Sequence, residues 1–390
     1  MTNITCPHCD CDCSNVVGKF CPQCGKRFEQ FVNDDSRLQA AADQVLAERV
    51  EAGLDGLVGG LTSVVINTEP DRLETAAAEL IRTTGHEFNE AFETDSLRTI
   101  VLSQPGSADL LVQSRKTPTP FAPVDAYPKA AGLPNSRLET LIFRTPDLGK
   151  YIDIQRERGV EFMSDTPLEW TGGRFIQTRP SQHTGLSYGY HETTNGAGQY
   201  APPSAASFSV SLEKSDLPHL RNIFELDHCA TRVPARDRDP AILEFVALTN
   251  YAFRFAIYVP VLNSITNVAR MEGEGYAQVF TSGIRPSAET DTDASKDGPT
   301  EQFLKNYGRR IHHMAFRTKD IVDTVAALHD DGMGFLIDVV GSEEQGIRQT
   351  FSKPSKNTLL VNEYIERYRD FDGFFTQENV ADLTKSTQKQ

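Results

Sequence analysis

Arg309-Arg310-Ile311-His312-His313-Met314-Ala315-Phe316 reads as a strand that carries a histidine near its start, and Leu359-Leu360-Val361-Asn362-Glu363 reads as a later strand that ends on a carboxylate. A further histidine, His228, lies 85 residues before His313 in another strand-like stretch. Two imidazoles and one carboxylate are the donor set of a mononuclear non-haem iron(II) site. They leave Fe(II) with a net charge of +1 and one open face, on which a substrate can chelate while dioxygen binds. Glu363 points to the same face as the histidines if strand alternation holds. His312 should then point the other way, which gives it a supporting role. His86, His183, His191, His219 and His329 have no partners at suggestive spacing.

A second constellation lies at the N-terminus. Cys6-Pro-His-Cys9 and Cys21-Pro-Gln-Cys24 are two C-x-x-C knuckles eleven residues apart. Four thiolates on two tight turns make a closed, tetrahedral structural zinc site, and the segment looks like a zinc ribbon. Cys11 and Cys13 are surplus, and one of them can stand in for Cys9. The ribbon has no core of its own, so the metal would stabilise it. It would offer a face to another protein or pack on the rest of the chain.

The bulk numbers narrow the class. At 390 residues, 39% apolar and 24% charged, the chain should be globular with two or three domains. A formal charge of -15 disfavours nucleic acid as a partner. No run approaches 18 apolar residues and the first residues are not a charged-then-apolar leader, so neither a membrane span nor secretion is expected. Clustered cysteines fit a reducing cytoplasm. Oligomeric state stays open, with a homo-oligomer compatible.

The elements that must position these donors recur. A helix is expected from Asp34–Ser36 to about Glu51, a strand over 61–67, a helix over 70–82, and short strands over 88–94, 99–102 and 110–113, giving β-α-β-β-β. A proline-rich connector follows, then a second unit from 138 to about 190. The third runs from about 224 to 282, with a helix expected over 239–252, and the fourth from 311 to about 366. Residues 285–300 read as a polar loop, and a terminal helix follows Asp372. Phe143-Arg144-Thr145-Pro146-Asp147-Leu148 matches Phe316-Arg317-Thr318-Lys319-Asp320-Ile321, and Thr178-Arg179-Pro180-Ser181 matches Ser352-Lys353-Pro354-Ser355, at offsets of 173 and 174. This internal repeat carries Thr140 where the later copy has His313, and Gly189 or Tyr190 where it has Glu363.

At these residues the chain resembles the 4-hydroxyphenylpyruvate dioxygenases of the vicinal oxygen chelate superfamily. The segments concerned are Glu301–Gly308 with Ile311–Phe316, Phe351–Pro354 with Leu360–Arg367, Gly373-Phe374 with Asn379–Leu383, and Asp227-His228. The match is specific over about 224–386 and covers the N-terminal half only as architecture. It implies an α+β fold of four βαβββ modules in two half-barrels, behind a zinc ribbon (1–27) and a helical linker (28–58). Residues 59–206 would be the pair without ligands and 207–390 the catalytic pair with its closing helix. It also implies Fe(II) on His228, His313 and Glu363, O2 as co-substrate, and a 2-oxo acid of the 4-hydroxyphenylpyruvate kind, decarboxylated oxidatively and hydroxylated. That chemistry belongs to aromatic amino acid catabolism. Phe374, Asn379 and Val380 on the closing segment would touch substrate, and Arg285, Arg309 and Arg310 are candidates for a substrate carboxylate.

The chain departs from that family's pattern at Pro299, where the family has a glutamine, at Ile284-Arg285-Pro286, where it has Asn-Glu-Pro, and at Val380, where it has an aromatic residue. Its fourth unit is also shorter. Ring-cleaving or isomerising chemistry on the same donors, or a ligand-binding module without catalysis, therefore stand as alternatives.

Overall fold

Each unit of the computed structural model begins with a strand followed by a helix that covers one face of it. The structure describes residues 9, 11, 21, 23–25 and 32–390, apart from 122–126, 195–198, 213–215, 274, 287–296, 369–370 and 372. Helix α1 (Asp35–Glu51) starts at Asp34, whose carboxylate accepts from the Ser36 N–H. The first module is β1 (Leu61–Asn67), α2 (Leu73–Thr84), β2 (Glu87–Glu93), β3 (Leu97–Ser103) and β4 (Asp109–Arg115). The second is β5 (Arg137–Arg144), α3 (Leu148–Glu157), β6 (Leu168–Trp170), β7 (Gly173–Gln177) and β8 (Ser187–Thr193), followed by the short β9 (Ala206–Ser207). The third is β10 (Ile223–Arg232), α4 (Arg238–Leu248), β11 (Ala252–Val259), β12 (Ser264–Arg270) and β13 (Ala277–Ser282). Helix α5 (Pro299–Tyr307) leads into the fourth: β14 (Arg310–Thr318), α6 (Ile321–Asp330), β15 (Val340–Ser342), β16 (Ile347–Phe351) and β17 (Val361–Arg367), closed by α7 (Gln377–Ser386).

The expected α+β architecture of four βαβββ modules is what forms. Modules one and two build a nine-stranded sheet, β6-β7-β8-β5-β1-β4-β3-β2-β9, and modules three and four an eight-stranded one, β11-β12-β13-β10-β14-β17-β16-β15. In each, the first strands of the two modules run antiparallel at the centre, and the last strand of each module lies parallel beside its own first strand. Every donor that the sequence singles out for iron thus sits on the three central strands of one curled sheet. The large core lies on the helix side and joins both halves: Val64, Ile66, Leu80 and Phe143 share it with Leu226, Met314, Phe316 and Tyr364.

The repeat is structural as well. α3 and α6 are offset by 173 residues, and β7/β16 and β8/β17 by 174. Two elements differ from the sequence reading. The helix expected to reach 252 stops at Leu248, where Thr249 turns extended and its hydroxyl donates to the Phe245 carbonyl. The loop expected through 300 ends instead in α5, because Pro299 occupies the first helical position, where its missing N–H costs nothing. Gly308 ends that helix at φ 73°, and a Cβ there would meet the Tyr127 ring at 2.2 Å.

His86, set aside in the sequence, is a buried junction residue. Its Nδ1 lies 3.0 Å from the Thr84 hydroxyl and its Nε2 donates to the Ala108 carbonyl, while its ring meets Phe316 of the other half edge-on. Burial holds its pKa down to about 4. Below an unfolded value near 6.5 the unfolded chain takes up a proton that the folded chain refuses. Stability of about 3 kcal/mol is therefore present above pH 6.5 and lost as pH falls towards 4. Urea melts at pH 7 and pH 5 are expected to show this slope, and His86→Gln is expected to flatten it.

Candidate metal centre

Alternation along a strand would set neighbouring residues on opposite faces, and at two places the register breaks it. β10 pairs with β14 with three register shifts, of which two flank the site, between Leu226 and His228 and between Ala230 and Thr231. The first of these two turns both Asp227 and His228 away from the core that holds Leu226 and Cys229. The second does the same for His312 and His313 between Ile311 and Met314, which both stay in the core. His312 therefore does not point away from His313, as alternation predicts, but lines the same cavity. Glu363 follows the ordinary rule: Val361 and Ile365 share its face, and Leu360 and Tyr364 point to the core.

The three expected donors converge. His228 Nε2 and His313 Nε2 are each 3.1 Å from Glu363 Oε2 and 3.4 Å from each other. Three donors at about 2.1 Å from one cation stand about 3.0 Å apart on an octahedral face and about 3.4 Å apart in a tetrahedron. The observed triangle matches a divalent metal, and its donor types are those of the facial triad. All three residues are buried.

The surrounding hydrogen bonds present lone pairs inward. His228 Nδ1 donates to Asp227 Oδ1 at 2.8 Å, and Asp227 is clamped by Arg367 Nη1 and Nη2 at 2.5 and 3.1 Å. Gln390 Oε1 accepts from His312 Nε2 at 3.0 Å, which leaves His312 Nδ1 to accept from His313 Nδ1 at 2.8 Å. The reverse polarity would put a proton on His313 Nε2 and spoil it as a ligand. Glu363 Oε1 accepts from Gln349 Nε2 at 2.6 Å, and Gln349 Oε1 accepts from Asn379 Nδ2 at 3.0 Å. Each donor thus has its second valence fixed by a neighbour.

Electrostatics follow from this packing. Burial favours neutral Glu363, but the imidazoles of His228 and His313 outweigh it and hold the pKa down to about 2. Burial lowers His228, but Glu363 and Asp227 outweigh it and raise the pKa to about 9. Burial dominates at His313, which is lowered despite Glu363. Asp227 is buried too, yet Arg367 and His228 hold its carboxyl well below the usual range. The carboxylates are thus charged at neutral pH, as ligation and orientation require.

A cavity lined by His313 and Glu363 opens at the triad. Of the three residues expected to touch substrate, Val380 lines it, and Phe374 and Asn379 do not. Phe374 packs edge-on against His228, beneath the guanidinium groups of Arg270 and Arg367, and its neighbour Phe375 takes the cavity wall. Asn379 is spent on Gln349. None of Arg285, Arg309 and Arg310 lines the cavity; Arg309 pairs with Asp237, and Arg310 donates to the Ser136 carbonyl. Arg232, which the sequence reading missed, does line it. Asp227 precedes His228, but strand alternation would turn it to the opposite face, so its orienting role left no signal. Arg367, Gln349 and Arg232 had none.

The other half shows what the same scaffold does without donors. Ser63 pairs with Ile142 as His228 pairs with Ala315, so Ser63, Thr140 and Gly189 hold the equivalent places. A Cβ on Gly189 would stand 2.7 Å from the Phe175 ring and 2.9 Å from Ile142. Phe175 stacks on Trp170 with ring centroids 4.2 Å apart, so aromatic packing fills the place of a polar centre.

At the N-terminus, Cys6 and Cys13 lie outside the described residues. Cys9, Cys11 and Cys21 bring their sulfurs within 4.8 Å of one another, so a cysteine that the sequence reading left over stands in the cluster. Cys21 Sγ is 3.1 Å from Cys11 Sγ and 3.5 Å from Cys9 Sγ, and accepts from the backbone N–H groups of Gln23 and Cys24 at 3.4 Å. Burial raises the Cys21 thiol, but those N–H groups and the neighbouring thiols outweigh it and lower the pKa to about 5. No helix among the described residues is long and apolar enough to cross a membrane.

No family model matches the chain. A curated protein of Aspergillus fumigatus described as "Probable 4-hydroxyphenylpyruvate dioxygenase 2" is 25% identical over 180 residues, which is 44% of this chain. The chain spans 43% of that relative's length. Among solved structures, a mutant 4-hydroxymandelate synthase from Streptomyces coelicolor superposes with a TM-score of 0.63 at 18% identity, covering 85% of this chain and 98% of the other. A fusion protein of a xylose isomerase-like TIM barrel and 4-hydroxyphenylpyruvate dioxygenase gives 0.58 at 16%, covering 90% of this chain and 58% of the other. These likenesses carry the fold across most of the chain and a sequence relationship across part of it. The chain shares its fold with these proteins and is similar, over 180 residues, to a probable 4-hydroxyphenylpyruvate dioxygenase.

Proposed function

We propose that this chain is an Fe(II)-dependent dioxygenase that decarboxylates a 2-oxo acid oxidatively and hydroxylates it. The observation that carries this is the triangle of His228 Nε2, His313 Nε2 and Glu363 Oε2, with sides of 3.1, 3.1 and 3.4 Å, at a buried cavity. A ferrous ion held there supplies open coordination positions and the electrons for reducing dioxygen. The chain's own residues do the rest. Asp227 keeps the His228 proton on Nδ1, and His312 keeps the His313 proton on Nδ1. Gln349 steadies the carboxylate. Phe351, Phe375, Val380 and Leu383 give the cavity apolar walls that displace water from around the reacting groups. The resemblance to the 4-hydroxyphenylpyruvate dioxygenases supports a 2-oxo acid as the chelating substrate.

The N-terminal cysteines form the second metal site of this reading. Cys9, Cys11 and Cys21 cluster, Cys24 follows on the turn after Cys21, Cys6 lies outside the described residues, and thiolate donors select zinc over a hard cation. The site is structural and serves as a docking face or a brace.

Metal analysis and oxygen consumption test both parts. The full chain is expected to hold two different metals, zinc that resists mild chelation and iron that does not. Anaerobically loaded protein is expected to consume O2 and release CO2 in equal amounts with at least one 2-oxo acid. Iron-loaded protein that consumes no oxygen across a broad panel of 2-oxo acids would remove the dioxygenase reading.

A further inference from the structure

Two buried carboxylates beside the cavity, Asp227 and Glu363, have cationic or ionisable neighbours. Asp227 faces Arg367, and Glu363 faces two imidazoles. Arg232 differs. It sits on β10 four residues after His228, is 4% exposed, and lines the same cavity as His313 and Glu363. Its Nη1 donates to the Pro299 carbonyl at 3.3 Å, its Nη2 donates to the Thr387 hydroxyl at 2.9 Å, and its plane lies over the Phe303 ring at 4.6 Å. All three partners are neutral. Among the described residues burial alone acts on its ionisation, and no acidic group opposes it. A buried cation without an anion is costly, and a guanidinium is built to take a carboxylate by two parallel hydrogen bonds.

The charge of the whole cavity says what is missing. A divalent metal contributes +2, Glu363 -1 and Arg232 +1, while Asp227 and Arg367 cancel. The sum is +2. A 2-oxo acid with one carboxylate removes only half of it. Resting on the 2-oxo acid reading above, we propose that the substrate is dianionic: a 2-oxo acid that chelates the metal at one end and seats a second carboxylate on Arg232 at the other. The threonine hydroxyls of Thr266, Thr281, Thr300 and Thr384 line the same cavity and suit an oxygen-rich group there. None of the arginines that the sequence offered for a substrate carboxylate has this position. Arg232 is placed there by the turn of β10 after Ala230, where its register against β14 shifts.

The test is a pair of matched ligands on the full chain loaded with cobalt(II), which binds the substrate without turning it over. Affinities for 2-oxoglutarate and 2-oxopentanoate, and for 4-carboxyphenylpyruvate and phenylpyruvate, are measured by calorimetry. In at least one pair the dianion is expected to bind roughly 10- to 100-fold more tightly, the worth of a charge-assisted bidentate contact. Arg232→Met is expected to erase that preference while leaving the monoanion within about threefold. Arg232→Lys is expected to keep part of it, since it retains the charge without the fork. Equal affinities within both pairs in the unaltered chain overturn the proposal without needing any variant, and so does a preference that survives Arg232→Met. Cobalt-loaded protein that binds none of the four acids overturns the 2-oxo acid reading itself, and this proposal with it.

Discussion

Glu363→Ala is expected to empty the cavity of iron while leaving the chain folded. The carboxylate is the one negatively charged donor of the three, and its Oε2 is the corner shared by both 3.1 Å edges of the triangle. Two neutral imidazoles alone hold a divalent cation weakly, so affinity should fall on the order of 10^3-fold or more. The fold survives because the charge leaves with its dependants. Glu363 and Asp227 raise the His228 pKa to about 9 against the effect of burial. Without Glu363 that imidazole can stay neutral, so no new unpaired charge is buried there. What remains is the unpaired Gln349 amide and a small void, costing about 1–3 kcal/mol. Anaerobic calorimetry with Fe(II), elemental analysis and a thermal melt check all three statements. Iron binding as tight as in the parent would move the metal site elsewhere.

Asp227→Asn is expected to lower iron affinity roughly 10- to 100-fold without touching a ligand, the usual effect of losing an orienting carboxylate behind a ligand histidine. An amide can still accept from His228 Nδ1, but it no longer stabilises positive charge on the ring, and it strands Arg367. That arginine side chain is 20% exposed, so the cost of stranding it should fall at the low end for a broken buried pair, about 3 kcal/mol. Asp227→Asn combined with Arg367→Met separates the two effects. Removing both charges is expected to restore much of the stability, measured by urea melts, and none of the metal affinity, measured by titration. If the double variant regains affinity as well, Asp227 acts on the centre only through the fold.

The modular architecture was legible because it rests on periodicity and repetition. The four strand-helix openings, the 173–174-residue offset and the fate of Thr140 and Gly189 are all local patterns compared with one another. His228, His313 and Glu363 could be named because they interrupt those patterns where apolar residues are the norm. The second row of the centre was hidden. Asp227 and His312 reach the metal face only because β10 and β14 slip register against each other, and a strand's own sequence does not show where its neighbour will slip. Phe374 and Phe375 exchanged roles for a similar reason: which ring meets the cavity depends on how the segment before α7 docks against His228.

The amino-acid order by itself determined which side chains could serve as donors, which strands carry them and which half of the molecule lacks them, since these follow from residue type and local period. Tertiary structure alone decided the proton positions on the histidines, the clamp of Arg367 on Asp227 and the isolation of Arg232 among neutral partners. Those depend on distances between groups up to 155 residues apart, set by how two sheets curl and by where a helix closes over them.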